Sequence, residues 1–164
     1  MKHPKNKIDS ELNQNANDQV REITSCTAAN DNETLPTRPT TARTPGLGAQ
    51  KHFSCAFVYG PGAGCVMQTD SMTEKRVALV LLARADVMSL ENQVLFPWYD
   101  KGGKQCLHFF EFRAVMADGS RVAIMVKYHK KLEQEDFRAE IACIASQVTP
   151  DFADRVTIMT EKHL

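Results

Sequence analysis

Residues 108–128 read HFFEFRAVMADGSRVAIMVKY. Two runs rich in Phe, Val and Ile flank an Asp118-Gly119 turn signal, the pattern of a β-hairpin. Glu111 stands near the start of the first run and Lys127 at the end of the second. Whether the two meet depends on the turn. If Asp118 and Gly119 alone form a two-residue loop, Ala117 pairs with Ser120, Glu111 sits opposite Val126, and Lys127 points to the other face. A three-residue connection, with Gly119 in a left-handed bulge, brings Glu111 opposite Met125 or Lys127 instead. The sequence permits both.

Working outward, the spacing of Phe137, Ile141, Ile144 and Val148 in KLEQEDFRAEIACIASQV predicts a helix that lays one face on the sheet and ends before Pro150. ADRVTIMT follows as a last strand, parallel to its neighbour because a helix has crossed over. Upstream, HFSCAFVYG reads as a strand and GPGAG at 60–64 as a connection; the loop lacks the Lys-Ser or Lys-Thr of a phosphate-binding P-loop. Ser71 and Glu74 have the spacing of a capping box, which predicts a helix from about Met72 to Ala85. Apolar residues surround that helix, so cover on more than one side is expected. SLENQVLFPWYD is an extended edge segment, since Pro97 cannot donate to a central ladder, and KGGK turns the chain. The expected fold class is therefore α/β, a mixed sheet flanked by helices over residues 51–164.

Residues 1–50 contain no Phe, Trp or Tyr and are rich in Asn, Thr, Pro and charge. Such a segment buries too little apolar surface to offset its ordering entropy and is expected to be a disordered arm. Of the 164 residues, 20 are Lys or Arg and 20 are Asp or Glu, so the formal net charge is zero. That balance argues against a protein that coats nucleic acid by charge alone. One local exception is KYHKK, where Lys127, His129, Lys130 and Lys131 crowd together, either as a phosphate-binding patch or as a solvated strand end. The five cysteines, Cys26, Cys55, Cys65, Cys106 and Cys143, show no zinc-binding spacing. Their odd number and the lack of a secretory signal lead us to expect reduced thiols in a cytoplasm. No apolar stretch approaches the ~20 residues that span a bilayer, so no membrane partner is expected.

The residue types with chemical potential are Glu74, Glu111 and Lys127. Metal-dependent cleavage of a phosphodiester uses hard oxygen ligands for the ion and a cation near the phosphate, which carboxylates and a lysine on adjoining elements supply. Each also has a plain structural reading. Glu74 serves as the third helical residue of a capping box, Lys127 as a strand-end charge, and Glu111 as a polar residue on the wet face of a hairpin.

Taken in order, four blocks resemble the TnsA-like transposon endonucleases, a branch of the PD-(D/E)xK restriction-endonuclease fold. TDSMTEKRVALVLL is similar to the family's acidic helix, ADVMSLENQVLFPWY to its segment ending in Gln-Pro and a strand, FFEFRAVMADGSRVAIMVK to its Pro-Asp-Phe hairpin closing in Glu-x-Lys, and VTIMTE to its last strand. The resemblance implies a restriction-endonuclease-like core and a DNA endonuclease that uses Mg²⁺ or Mn²⁺. By position, Glu74 would be the helical acid, with Asp70 as a substitute, Glu111 would replace the hairpin aspartate, and Lys127 would be the lysine. Glu74 and Glu111 would hold the metal, and Lys127, His129, Lys130 and Lys131 would meet DNA. Phe110 stands in place of the family's proline and Met125 in place of its central acid or amide. A thioether is a poor ligand for Mg²⁺, so the resemblance also implies a second possibility, an inactive relative that binds DNA or a protein partner. The setting implied is bacterial mobile-element or phage biology, with a transposase-like partner. The second helical or winged-helix domain of longer relatives is not expected, since the sequence ends at Leu164. A third class, a structural or inhibitory protein on the same fold, is compatible with the neutral charge.

Overall fold

The structure, a computed structural model, describes residues 35–39, 41 and 53–164. The arm expected over residues 1–50 lies outside the described residues except for that short piece. There Thr37 forms a parallel bridge to Cys65, its N–H donating to the Gly64 carbonyl at 2.8 Å and its carbonyl accepting from Val66 N–H at 2.9 Å.

The elements are β1 (Cys55–Tyr59), β2 (Cys65–Thr69), α1 (Met72–Leu82), β3 (Val87–Tyr99), β4 (Gln105–Met116), β5 (Arg121–Val126), α2 (Glu135–Gln147) and β6 (Arg155–Met159). Strands β1 and β2 form a separate antiparallel hairpin. The other four form one sheet in the order β3-β4-β5-β6, antiparallel except for the parallel β5–β6 pair. The expected mixed sheet flanked by helices is what forms, with β3 and its Pro97 at one edge. Among the described residues, no helix is long and apolar enough to cross a membrane, and Cys55, Cys65, Cys106 and Cys143 are free.

Three details depart from expectation. CVMQT, between the glycine-rich connection and the capping box, forms a strand that is not among the expected elements and pairs with β1. Gly64 makes that hairpin possible: it has φ +74°, and a Cβ there would lie 2.6 Å from Val58 and 2.8 Å from the Tyr59 carbonyl. Helix α1 stops at Leu82 and is covered on one face only. Val77, Ala78 and Leu81 are buried, whereas Leu79 and Val80, rotated away from that stripe, are exposed. KYHKK starts just past a strand and runs into a turn: β5 closes at Val126, Lys127 N–H still bonds to the Met159 carbonyl of β6, and His129–Glu133 form a 3-10 turn.

The sheet separates two cores. On one face, Val77, Ala78 and Leu81 of α1 and Met67 of β2 pack on Leu90, Phe112, Ala114, Val122, Ile124 and Val126. On the other, Ile141 and Ile144 of α2 pack on Phe96, Trp98, Phe110, Ala123 and Met125. Strand β5 alternates between the cores as a regular strand does. Strand β4 does not: Phe110 and Phe112, two residues apart, lie in different cores. The flip is centred on Glu111. Across the ladder, the run of pairs that joins Asn92 to Phe112 and Val94 to Phe110 skips Gln93 and Glu111. Gln93 has φ +52°, the one positive value among the described non-glycine residues. A left-handed Gln is uncommon, and here it turns β3 over in step with β4.

Candidate active site

The flip in β3 and β4 happens where β4 also leaves β5. Their pairing runs from Val115 opposite Arg121 to Phe112 opposite Ile124 and ends there. Beyond that point the Val126 N–H has lost its ladder partner, and the Glu111 carboxylate replaces it, Oε2 accepting from Val126 N–H at 2.9 Å. Oε1 accepts from Lys127 Nζ at 2.5 Å, a charge-assisted bond between two largely buried side chains. Removing either charge would strand the other in a low-dielectric site.

The turn at the opposite end of the hairpin sets this register. Met116 N–H donates to the Ser120 carbonyl at 2.8 Å, which leaves Ala117, Asp118 and Gly119 as a three-residue connection. Gly119 takes the left-handed position at φ +83°. Of the two registers the sequence permits, this is the one that puts Glu111 within reach of Lys127.

Glu74 arrives from the first turn of α1. Ser71 caps the helix, its hydroxyl accepting from Glu74 N–H at 3.1 Å. In return the Glu74 carboxylate accepts from Ser71 Oγ at 3.1 Å and from the Asp70 N–H at 2.9 Å, one residue earlier than a regular capping box would place the bond. Gln93 Nε2 reaches the same carboxylate at 3.5 Å. The plain structural reading of Glu74 as a capping residue is thus correct as far as it goes, but the cap also fixes the carboxylate of a residue that is only 9% exposed.

These side chains line one cavity of about 600 Å³. Of the expected site residues, Glu74, Glu111 and Lys127 all face it, as does Asp70. His129, Lys130 and Lys131 are not among its lining residues. The His129 N–H is held by the Glu161 carboxylate at 2.9 Å, and Lys131 Nζ lies 4.3 Å from the centre of the Phe137 ring. Met125 is also absent from the lining; it is fully buried in the α2-side core. The position that the resemblance would align with an acid or amide therefore does not open on this cavity.

No protein-family model matches the chain, and no curated protein matches it.

Among the cavity residues not anticipated are Gln93 and His108. Gln93 had a faint signal, since Asn92 and Gln93 interrupt an otherwise apolar run in LENQVLFPW. His108 had none. Its ring packs edge-on against Phe110 with centroids 4.9 Å apart, and its Nε2 is buried without a hydrogen-bond partner. Burial, and then the Lys127 charge, pull its pKa down to about 4, so the imidazole is neutral near pH 7.

The fit of a divalent cation follows from the donors present. Mg²⁺ and Mn²⁺ are suited by carboxylate oxygens, and Mg²⁺ is usually held by one or two carboxylates, with waters and substrate phosphates completing the shell. Glu74 and Glu111 are of that type. Among the described residues, no group of three or more His, Cys, Asp or Glu side chains is placed to hold a metal ion. A cation here would depend on water and phosphate oxygens for the rest of its shell.

Proposed function

We propose that this cavity is a nuclease-like centre on a restriction-endonuclease-like core, acting on phosphodiesters in DNA with Mg²⁺ or Mn²⁺. The observation that carries the reading is the meeting of Glu111, Lys127 and Glu74 in one cavity at the point where β4 and β5 part. Three polar residues, one from a helix, one from a strand and one just past the end of a second strand, converge there beside a left-handed Gln93, and backbone strain of that kind collects at functional sites.

Glu74 and Glu111 would hold the cation, which when bound supplies an acidified water and offsets charge on the phosphate. The protein's own contribution is positioning. The Val126 N–H keeps the Glu111 carboxylate from rotating, and Ser71, Gln93 and the Asp70 N–H do the same for Glu74. Lys127 is the mobile charge. Its ammonium can pass from Glu111 to the oxygens of an entering phosphate, where it stabilises charge that builds during displacement. Neutral His108 beside it adds no competing positive charge.

A second reading is favoured by a specific observation: both Glu111 oxygens already have donors, and Met125 supplies no oxygen. On that reading the domain binds DNA, or a transposase-like partner, without cutting.

Supercoiled plasmid incubated with the protein and Mn²⁺ separates the two. A nuclease nicks it, and Lys127→Ala lowers the rate by about 100-fold or more, the usual loss for one transition-state donor. Plasmid left intact but shifted on a gel supports the second reading. Met125→Glu is expected to rescue neither, because its carboxylate would enter the α2-side core rather than the cavity. Plasmid neither nicked nor shifted ends the nuclease reading and the DNA-binding form of the second.

A further inference from the structure

The cavity has two chemistries. Its interior carries Asp70, Glu74 and Glu111 against the single charge of Lys127. Its mouth is apolar and aromatic. Leu107 and Tyr128 line it while remaining 63% and 59% exposed, and Phe109 sits half-buried beside them. Exposed side chains of that size on the rim of a polar cavity suit a partner that is itself flat and apolar on one surface.

Charge cannot be what draws a nucleic acid in. The chain has no net charge, the lining carries more acid than base, and Lys130 and Lys131 lie off the cavity on the 3-10 turn. A duplex offers phosphates on its outside and keeps its bases stacked, so it would meet mainly the acids here. A single strand offers base faces, and stacking of a base on an aromatic side chain contributes without regard to sequence. Tyr128 and Lys127 both line the cavity, so a nucleotide whose base rests on the Tyr128 ring would bring its phosphate into the same cavity as the ammonium.

We propose that the cavity takes DNA whose nucleotide at the scissile position is unstacked, in a single-stranded segment, flap or frayed end, with the base resting on Tyr128 and flanked by Leu107 and Phe109. The proposal rests on the nuclease-like reading of the same cavity and narrows its substrate. It also predicts binding that depends weakly on salt, since few phosphate contacts release few counterions.

The test uses the full chain with Ca²⁺ to hold back cleavage, and a fluorescein-labelled oligonucleotide of ~20 nucleotides, alone or annealed to its complement. The single strand should bind at least about tenfold more tightly than the duplex. Tyr128→Ala should weaken single-strand binding by about 5- to 150-fold, the range that base stacking covers. Tyr128→Phe should restore it, and Lys130→Ala with Lys131→Ala should change it little. Equal or tighter duplex binding overturns the proposal, as does a single-strand preference that survives Tyr128→Ala. In either case nicking of plasmid would leave the nuclease-like reading standing. If neither oligonucleotide binds and plasmid is neither nicked nor shifted, the broader reading falls and takes this one with it.

Discussion

The hairpin of β4 and β5 has two ends built on opposite principles. At the turn end most backbone groups find a neighbour a few residues away: Met116 pairs with Ser120, Gly119 N–H reaches the Met116 carbonyl, and the Asp118 side chain caps Ser120 at 2.9 Å, while Ala117 N–H alone reaches out to the Asp86 carbonyl. At the other end the strands part, and a side chain replaces the backbone ladder. Glu111 there accepts from Val126 N–H and from Lys127, both distant in sequence. A buried carboxylate is a costly way to satisfy one N–H. An apolar residue with continued strand pairing would do it without burying charge, so on the nuclease-like proposal the open end is where stability is exchanged for chemistry.

The most direct way to break this comparison is Glu111→Ala. It leaves Val126 N–H without an acceptor and Lys127 with no counter-charge in a mostly buried position. The expected loss is about 3 kcal/mol in chemical denaturation, at the lower end for severing a buried pair because the lysine stem is long enough to swing towards solvent. Nicking should vanish with it. A stability unchanged by the substitution would mean that the pair contributes nothing and that the open end is no different from an exposed surface.

The two ends also differ in how far the sequence revealed them. The turn end was nearly readable: Asp118-Gly119 limited the connection to two forms, and the left-handed Gly119 selects the longer. Glu74, Glu111 and Lys127 could be named as candidates because each stands in a recognisable local pattern. The face of Met125 was not readable. Placing it in the site assumes strict alternation along both strands, and alternation fails in β4 at Glu111 and in β3 at Gln93, a change of face produced by two chains turning together. The β1–β2 hairpin was missed for a related reason: its strands are short, and the close approach that requires Gly64 is a contact across the hairpin rather than a local propensity. His108 gave no signal at all, because an imidazole in a run of aromatics looks the same whether its ring meets solvent or Phe110.

His108 offers a second, smaller test of the open end. Its pKa in the folded protein, about 4, lies below its ordinary value of 6.5, chiefly through burial. The unfolded chain therefore binds a proton at a pH where the folded chain does not, and this group costs stability as pH falls from about 6.5 towards 4. Asp86 and Asp118, whose carboxyls are held below their ordinary 3.8 by Arg84 and Ser120, lose their contributions only at lower pH. Denaturation midpoints should fall between pH 7 and pH 5, and His108→Gln should flatten that part of the profile. An unchanged profile in the variant would show that His108 is not buried neutral beside Lys127.

The smallest expected effect belongs to the turn end, and its value lies in what it leaves alone. Gly119 holds φ +83° with open space where a Cβ would go, so Gly119→Ala meets no clash and suffers only the strain of a left-handed backbone. That strain amounts to about 1 kcal/mol. Gly119→Asn should cost less, since Asn tolerates the same conformation. Neither should alter nicking or oligonucleotide binding, because the pairs from Val115–Arg121 to Phe112–Ile124 hold the register between the turn and the cavity. If Gly119→Ala instead abolished activity while the fold persisted, the register would have to be set by the turn alone. Glu111 and Lys127 would then meet only because Gly119 holds the longer connection, and the two ends of the hairpin would be a single device.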